Sequence, residues 1–384
     1  MNGLAESLDR SKVLLCLGPG GVGKTTCSAA LALKAAARGR RTLVCTVDPA
    51  RRLATSLGLD SLPDHPVRLP RAELEAAGLA ADLPIDAMML QVESTLNRAL
   101  AQETKDVGAR EAILHNRFYQ ALVSDLEGTQ IYAALAELLE LQRNGKWDLI
   151  VVDTPPTAHA RDILRAPSAM ARAVSSPVVR WLSSENFAGR TGLAFLRLGR
   201  NAILKRMAAI VGGAFLEDLS EFVGLLSSLL PTLKNRAEEA ETLLMAPSTS
   251  YVLVTGASAD RIDETGVLLD DLKARGLSVS AVVANRLLPD PDNWPDEPSG
   301  DSSVDGSDER ASEPTRRSSG DPKSASCQQR ALDYYHQILS QQHEALDRFA
   351  GDRPKIQVVQ VPLLPEDLGN LTHLWTLAQH LGIQ

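Results

Sequence analysis

Six short apolar runs punctuate the chain: Val13 to Leu17, Thr42 to Val47, Asp148 to Val152, Tyr251 to Thr255, Val279 to Ala284 and Ile356 to Val361. They are rich in β-branched residues and nearly continuous. That pattern predicts strands buried on both faces of a parallel sheet. Between them apolar residues recur every three to four positions, the helical period, so strands and helices alternate as in βαβ units. Two helical stretches interrupt this alternation. Residues 108–146 carry Ile131, Leu135, Leu138 and Leu139 at helical spacing, and residues 166–245 carry Phe215, Leu219, Phe222, Leu226 and Leu229 on one stripe. They read as one helical subdomain beside the sheet. The stripe suits either helix packing or a groove for an apolar partner. From Pro289 to Ser326 the composition turns to Asp, Glu, Ser, Pro and Gly, too polar to bury a core, and predicts a disordered surface loop. No internal repeat is apparent.

The 384 residues are ample for one large α/β domain, read here as spanning 1–384. A net charge of −8 and 4% aromatic residues argue against a nucleic-acid partner, which needs a basic face and stacking platforms. The cysteines are Cys16, Cys27, Cys45 and Cys327. Three fall in or beside expected core elements, which reads as reduced, buried thiols of a cytoplasmic protein and not a disulfide frame. The polar start lacks a signal-peptide pattern, and no run reaches the ~18 apolar residues of a membrane span, so a soluble protein is expected.

The chemistry begins at the first run. Gly18-Pro19-Gly20-Gly21-Val22-Gly23-Lys24-Thr25-Thr26 fits G-x-x-x-x-G-K-[ST] between an expected strand and an expected helix. Glycines let backbone N–H groups close around a polyphosphate, and the helix N-terminus favours negative charge there. Lys24 suits neutralising the β- and γ-phosphates, and the Thr25 hydroxyl suits ligating Mg²⁺. Asp153 ends an aliphatic strand, as an aspartate near the Mg²⁺ shell does in phosphoryl-transfer sites. It also suits capping a helix over 157–164. Asp48 ends another strand at the edge where open parallel sheets bind ligands. Its carboxylate suits either orienting the attacking water or capping a helix that starts near Ala50.

Four segments occur in order: the glycine loop, Val47-Asp48-Pro49-Ala50-Arg51-Arg52-Leu53, Asp153-Thr154-Pro155-Pro156-Thr157-Ala158-His159, and Val361-Pro362-Leu363-Leu364-Pro365-Glu366. Together they resemble the ArsA family of anion-pump ATPases, which includes an ATPase that targets tail-anchored membrane proteins. Gly128-Thr129-Gln130-Ile131-Tyr132 resembles the bacterial branch. The resemblance implies a P-loop NTPase of the deviant Walker A type, with a mostly parallel sheet and an inserted helical subdomain. It implies ATP and Mg²⁺ as ligands. It makes Asp48 the residue that activates water, Asp153 the Mg²⁺-linked aspartate, and Thr157 and His159 part of a nucleotide-sensing switch. It assigns Asn285, Pro362 and Leu363 to the adenine. It further implies a homodimer or a heterodimer with a related ATPase, and a membrane partner or apolar client that brings the chain to the membrane periphery.

Three departures stand out. Pro19 occupies the place of a second lysine that in the family reaches the partner's nucleotide, and proline supplies neither charge nor N–H. Arg51 or Arg52 is a candidate substitute. Only Cys327 remains of a C-x-x-C pair that binds zinc across the dimer, so structural zinc is not expected. Residues 108–245 contain no cysteine, which removes the thiolates a metalloid site needs.

Overall fold

In the computed structural model all six runs are strands of one sheet. The structure describes residues 3–47, 51–104, 106–124, 127–154, 160–177, 222–227, 229–290, 322–364 and 369–383, with positions 179 and 219. The strands are β1 (Val13–Leu17), β2 (Thr42–Thr46), β3 (Val67–Arg68), β4 (Ile85–Met89), β5 (Leu149–Asp153), β6 (Thr249–Thr255), β7 (Val279–Leu287) and β8 (Gln357–Pro362). Their order is β3-β4-β2-β5-β1-β6-β7-β8. Every pairing is parallel except β3 with β4.

The period of two along β1 divides the core. Leu14 and Cys16 face one side of the sheet, whereas Val13, Leu15 and Leu17 face the other. The first side is covered by α1 (Leu4–Arg10), α2 (Lys24–Ala37) and a C-terminal helix. Helix α2 is alanine-rich, a strong helix former, and buries Cys27, Ala29 to Leu33, Ala35 and Ala36. Its small side chains let it lie close to the strands. After β2 come two short helices, α3 (Arg52–Ser56) and α4 (Arg71–Ala76).

Among the described residues four helices lie between β4 and β5, and one comes directly after β5. They are α5 (Val92–Glu103), α6 (Val107–Leu114), α7 (Arg117–Ser124), α8 (Glu127–Asn144) and α9 (Ala160–Val174). Ile131, Leu135, Leu138 and Leu139 of α8 pack into the second sheet-face core. That core also takes residues from α10 (Leu230–Met245), α11 (Ala259–Ala274) and α12 (Pro322–Asp352). Each leucine buried there contributes about 2 kcal/mol. A third, smaller cluster joins Leu100, Ile113 and Tyr119 to Phe222 and Leu229, with Leu219 and Leu226 packed against it. Phe215 lies outside the described residues. The last helix, α13 (Leu371–His380), returns to the first side.

Two features differ from the sequence reading. Strands β3 and β4 extend the sheet by two strands, although no long apolar run marks them. Asp86 interrupts Ile85-Asp86-Ala87-Met88-Met89 and is nonetheless buried. Arg68 Nε reaches its Oδ1 at 2.7 Å, and Trp147 Nε1 donates to its Oδ2 at 2.8 Å. Lys146 Nζ lies 3.5 Å from Oδ2. The charge is thus partnered instead of excluded. At the other end, residues 322–326 belong to α12 and not to a loop, because the helical pattern that follows propagates back to Pro322, a residue suited to a first helical turn. Residues 291–321 lie outside the described residues.

Candidate functional site

The carboxyl ends of β1, β2, β5 and β7 converge on the start of α2. Gly18 leaves β1 with no space for a side chain: a Cβ there would lie 2.0 Å from the Val254 carbonyl oxygen. The loop then turns through Gly21 (φ 77°) and Gly23 (φ 90°), left-handed conformations that favour glycine. A Cβ on Gly23 would also meet Asn285 Nδ2 at 2.3 Å. Lys24 opens α2, is 7% exposed, and donates from Nζ to Gly18 O at 2.9 Å and Pro19 O at 2.8 Å. The ammonium is therefore folded over the loop it belongs to.

Thr25 follows on the first turn of α2. Its Oγ1 donates to Asp153 Oδ2 at 2.8 Å. The same carboxylate oxygen accepts from Thr46 Oγ1 at 2.9 Å. Asp153 is buried at the end of β5, whose neighbours in the sheet are β1 and β2, so three adjacent segments meet at one carboxylate. Thr154 Oγ1 donates to Cys16 O at 2.6 Å and anchors the chain as it leaves β5. Behind this layer burial pushes the Cys16 thiol up to about 12. Burial also raises Cys27 and Cys45. All three thiols are held protonated and unreactive.

On the other flank Asn285, 2% exposed, donates from Nδ2 to Val22 O at 2.9 Å. Arg286 Nη1 donates to the preceding carbonyl, Gly21 O, at 3.3 Å. Leu363 N donates to Leu287 O at 2.7 Å, which brings Pro362 and Leu363 alongside this pair.

An open cavity of about 1030 Å³ lies against this loop. Gly21, Gly23, Lys24, Thr25 and Thr26 line it, as do Asn285, Pro362 and Leu363. Arg51, Arg52 and Arg286 add three guanidinium groups to the Lys24 ammonium, and no carboxylate is among its described lining residues. A large, cationic, loop-lined cavity suits a polyphosphate ligand. The oxygen donors of Thr25 and Asp153 fit a hard divalent cation such as Mg²⁺.

Most candidates from the sequence therefore lie together. Gly20 is in the same loop and Val22 is buried beneath it. Asp48, Thr157 and His159 lie outside the described residues. Thr46, Thr154 and Arg286 are additions. Thr46 carries a weak signal, as a polar residue just before the Asp48 segment. Arg286 carries none beyond its place next to Asn285.

The chain matches the anion-transporting ATPase family model over residues 11–297. It is 23% identical over 372 residues to ATPase GET3 of Malassezia globosa, spanning 96% of this chain and 90% of that protein. Over 291 residues it is 31% identical to the uncharacterized protein SCO2128 of Streptomyces coelicolor, spanning 74% of this chain and 65% of that one. A 25% identity over 276 residues links it to ATPase get3 of Aspergillus terreus, with 71% and 72% covered.

Proposed function

The chain belongs to the anion-transporting ATPase family and is an ATPase; from that premise we propose that it is Mg²⁺-dependent and couples hydrolysis to movement of its helical part, 108–146 with 166–245. The observation that carries this reading is the hydrogen bond from Thr25, which lines the cationic cavity, to the buried carboxylate of Asp153. It joins the phosphate loop to the strand that ends in the metal-linked aspartate. In the proposed mechanism Thr25 and Asp153 would hold Mg²⁺. The ion supplies charge neutralisation at the reacting phosphate. Lys24 swings from the Gly18 and Pro19 carbonyls to the β- and γ-phosphates. Asp48 orients the attacking water. Asn285, Pro362 and Leu363 receive the adenine. Positioning and charge supply most of the rate in such sites.

Hydrolysis then releases the segments that follow β2 and β5, Asp48 and Thr157 to His159, and these bias the helices attached to them. We place Arg51 and Arg52 as substitutes for the charge that Pro19 lacks. The assembly is a homodimer or a heterodimer with a related ATPase. Among the described residues no helix is long and apolar enough to cross a membrane, so in this reading a partner brings a cytoplasmic protein to the membrane periphery. The lack of cysteine between 108 and 245 favours an apolar polypeptide client over a soft metalloid anion.

Phosphate release tests the reading. Lys24→Ala should lower turnover at least about a hundredfold and weaken ATP binding. Asp48→Asn should lower turnover comparably with ATP still bound, because an amide cannot direct the water as a carboxylate does. Wild-type turnover in either protein would refute its assignment.

A further inference from the structure

In a regular strand Asn285 and Arg286 would point to opposite faces of the sheet. Here both reach the same loop, on consecutive carbonyls, Val22 O and Gly21 O. The cause is a bulge. Opposite β8, the register runs from Ala284↔Gln360 to Leu287↔Pro362, so β7 takes one residue more than its partner. Arg286 absorbs it at φ 59°, the sole non-glycine residue with positive φ among the described residues. An arginine in that conformation costs about 1 kcal/mol or more, and such strain gathers where a side chain must be aimed. Bulges beside binding sites do this.

The aim can be located along the sheet. From β5, which bears Asp153, to β7 is three strand spacings, roughly 14 Å. The backbone of Arg286 is thus far along the sheet from the metal-linked carboxylate. There it stands on the wall that carries Leu363, a large apolar side chain left 47% exposed at the cavity edge. A guanidinium is planar, weakly hydrated and stacks on aromatic rings, bases included. An exposed leucine offers the complementary apolar surface.

We propose that Arg286 binds the purine base of the nucleotide, its guanidinium stacking on the ring, and so sets affinity for the base and not for the phosphates. The proposal rests on the reading of this cavity as the nucleotide site. A stacked, partly desolvated cation–π contact is worth about three- to thirty-fold in affinity.

The test titrates the full chain with Mg·ATP and with inorganic tripolyphosphate plus Mg²⁺, in wild type, R286A, R286K and K24A, with thermal melts to establish folding. R286A should weaken ATP by the stated factor and leave tripolyphosphate unchanged. R286K, which keeps the charge and loses the plane, should resemble R286A. K24A should weaken both ligands. Equal losses for both ligands in R286A would make Arg286 a brace of the loop and overturn the proposal alone, as would full ATP affinity in R286K. A K24A protein with both affinities unchanged would overturn the nucleotide site itself, and this proposal with it. Should R286A melt far below wild type, R286Q carries the comparison, since it keeps a donor for Gly21 O and lacks the cation.

Discussion

At the residue scale the phosphate loop is specified by contacts as much as by flexibility. Gly18 and Gly21 both belong to the motif, yet they are held for different reasons. Gly18 lies against the Val254 carbonyl, 2.0 Å from where a Cβ would be, and that neighbour is backbone in the centre of the sheet. Among the described residues Gly21 has nothing within 4 Å of where a Cβ would be and needs glycine only for its φ of 77°. Gly18→Ala must therefore part β1 from β6 and should cost about 3 kcal/mol, the upper range for overpacking. Gly21→Ala pays for a left-handed alanine alone, about 1 kcal/mol. Thermal melts of the two variants should rank accordingly, and equal melting temperatures would contradict the contact argument.

At the element scale, the strands legible in the sequence were those whose apolar residues run uninterrupted. Strand β4 was not, because Asp86 sits at its second position and is solvated by Arg68, Lys146 and Trp147 from two other segments. No local pattern announces partners that distant. The same logic divides the site. The glycine loop and Thr25 are consecutive and could be read directly. Asn285, Pro362 and Leu363 were accessible only through the family resemblance, and Arg286 depends on a bulge that its own sequence does not encode visibly. Replacing Asp86 by Ala should cost about 2 kcal/mol, the range for a lost buried partner of charged and indole donors. Trp147→Phe in that background should add less than it does alone, because both changes remove one hydrogen bond. Chemical denaturation of the single and double variants measures this, and strict additivity would deny the coupling.

At the scale of the whole molecule, the cavity draws its walls from both ends of the chain, from Gly21 in the first loop to Leu377 in α13. A ligand held there stabilises contacts between segments distant in sequence. Mg·ATP at a hundred times its dissociation constant should raise stability by about 2.7 kcal/mol. The shift should shrink in Lys24→Ala, as a thermal melt against nucleotide concentration would record. An equal shift in that variant would mean that nucleotide binds elsewhere.

The strand order also governs when this site can come into being on the ribosome. Val13 pairs with Ile150 on one side and Thr249 on the other, so β1 is flanked on both sides only once β6 has been made. At typical elongation rates the interval before β6 emerges is on the order of tens of seconds. Throughout it the glycine loop has neither Val254 beneath Gly18 nor Asn285 beside Gly23. A nascent chain therefore carries the complete glycine-loop motif long before the cavity around it exists, and the walls are complete only once β6, β7, β8 and the residues to Leu377 have been added.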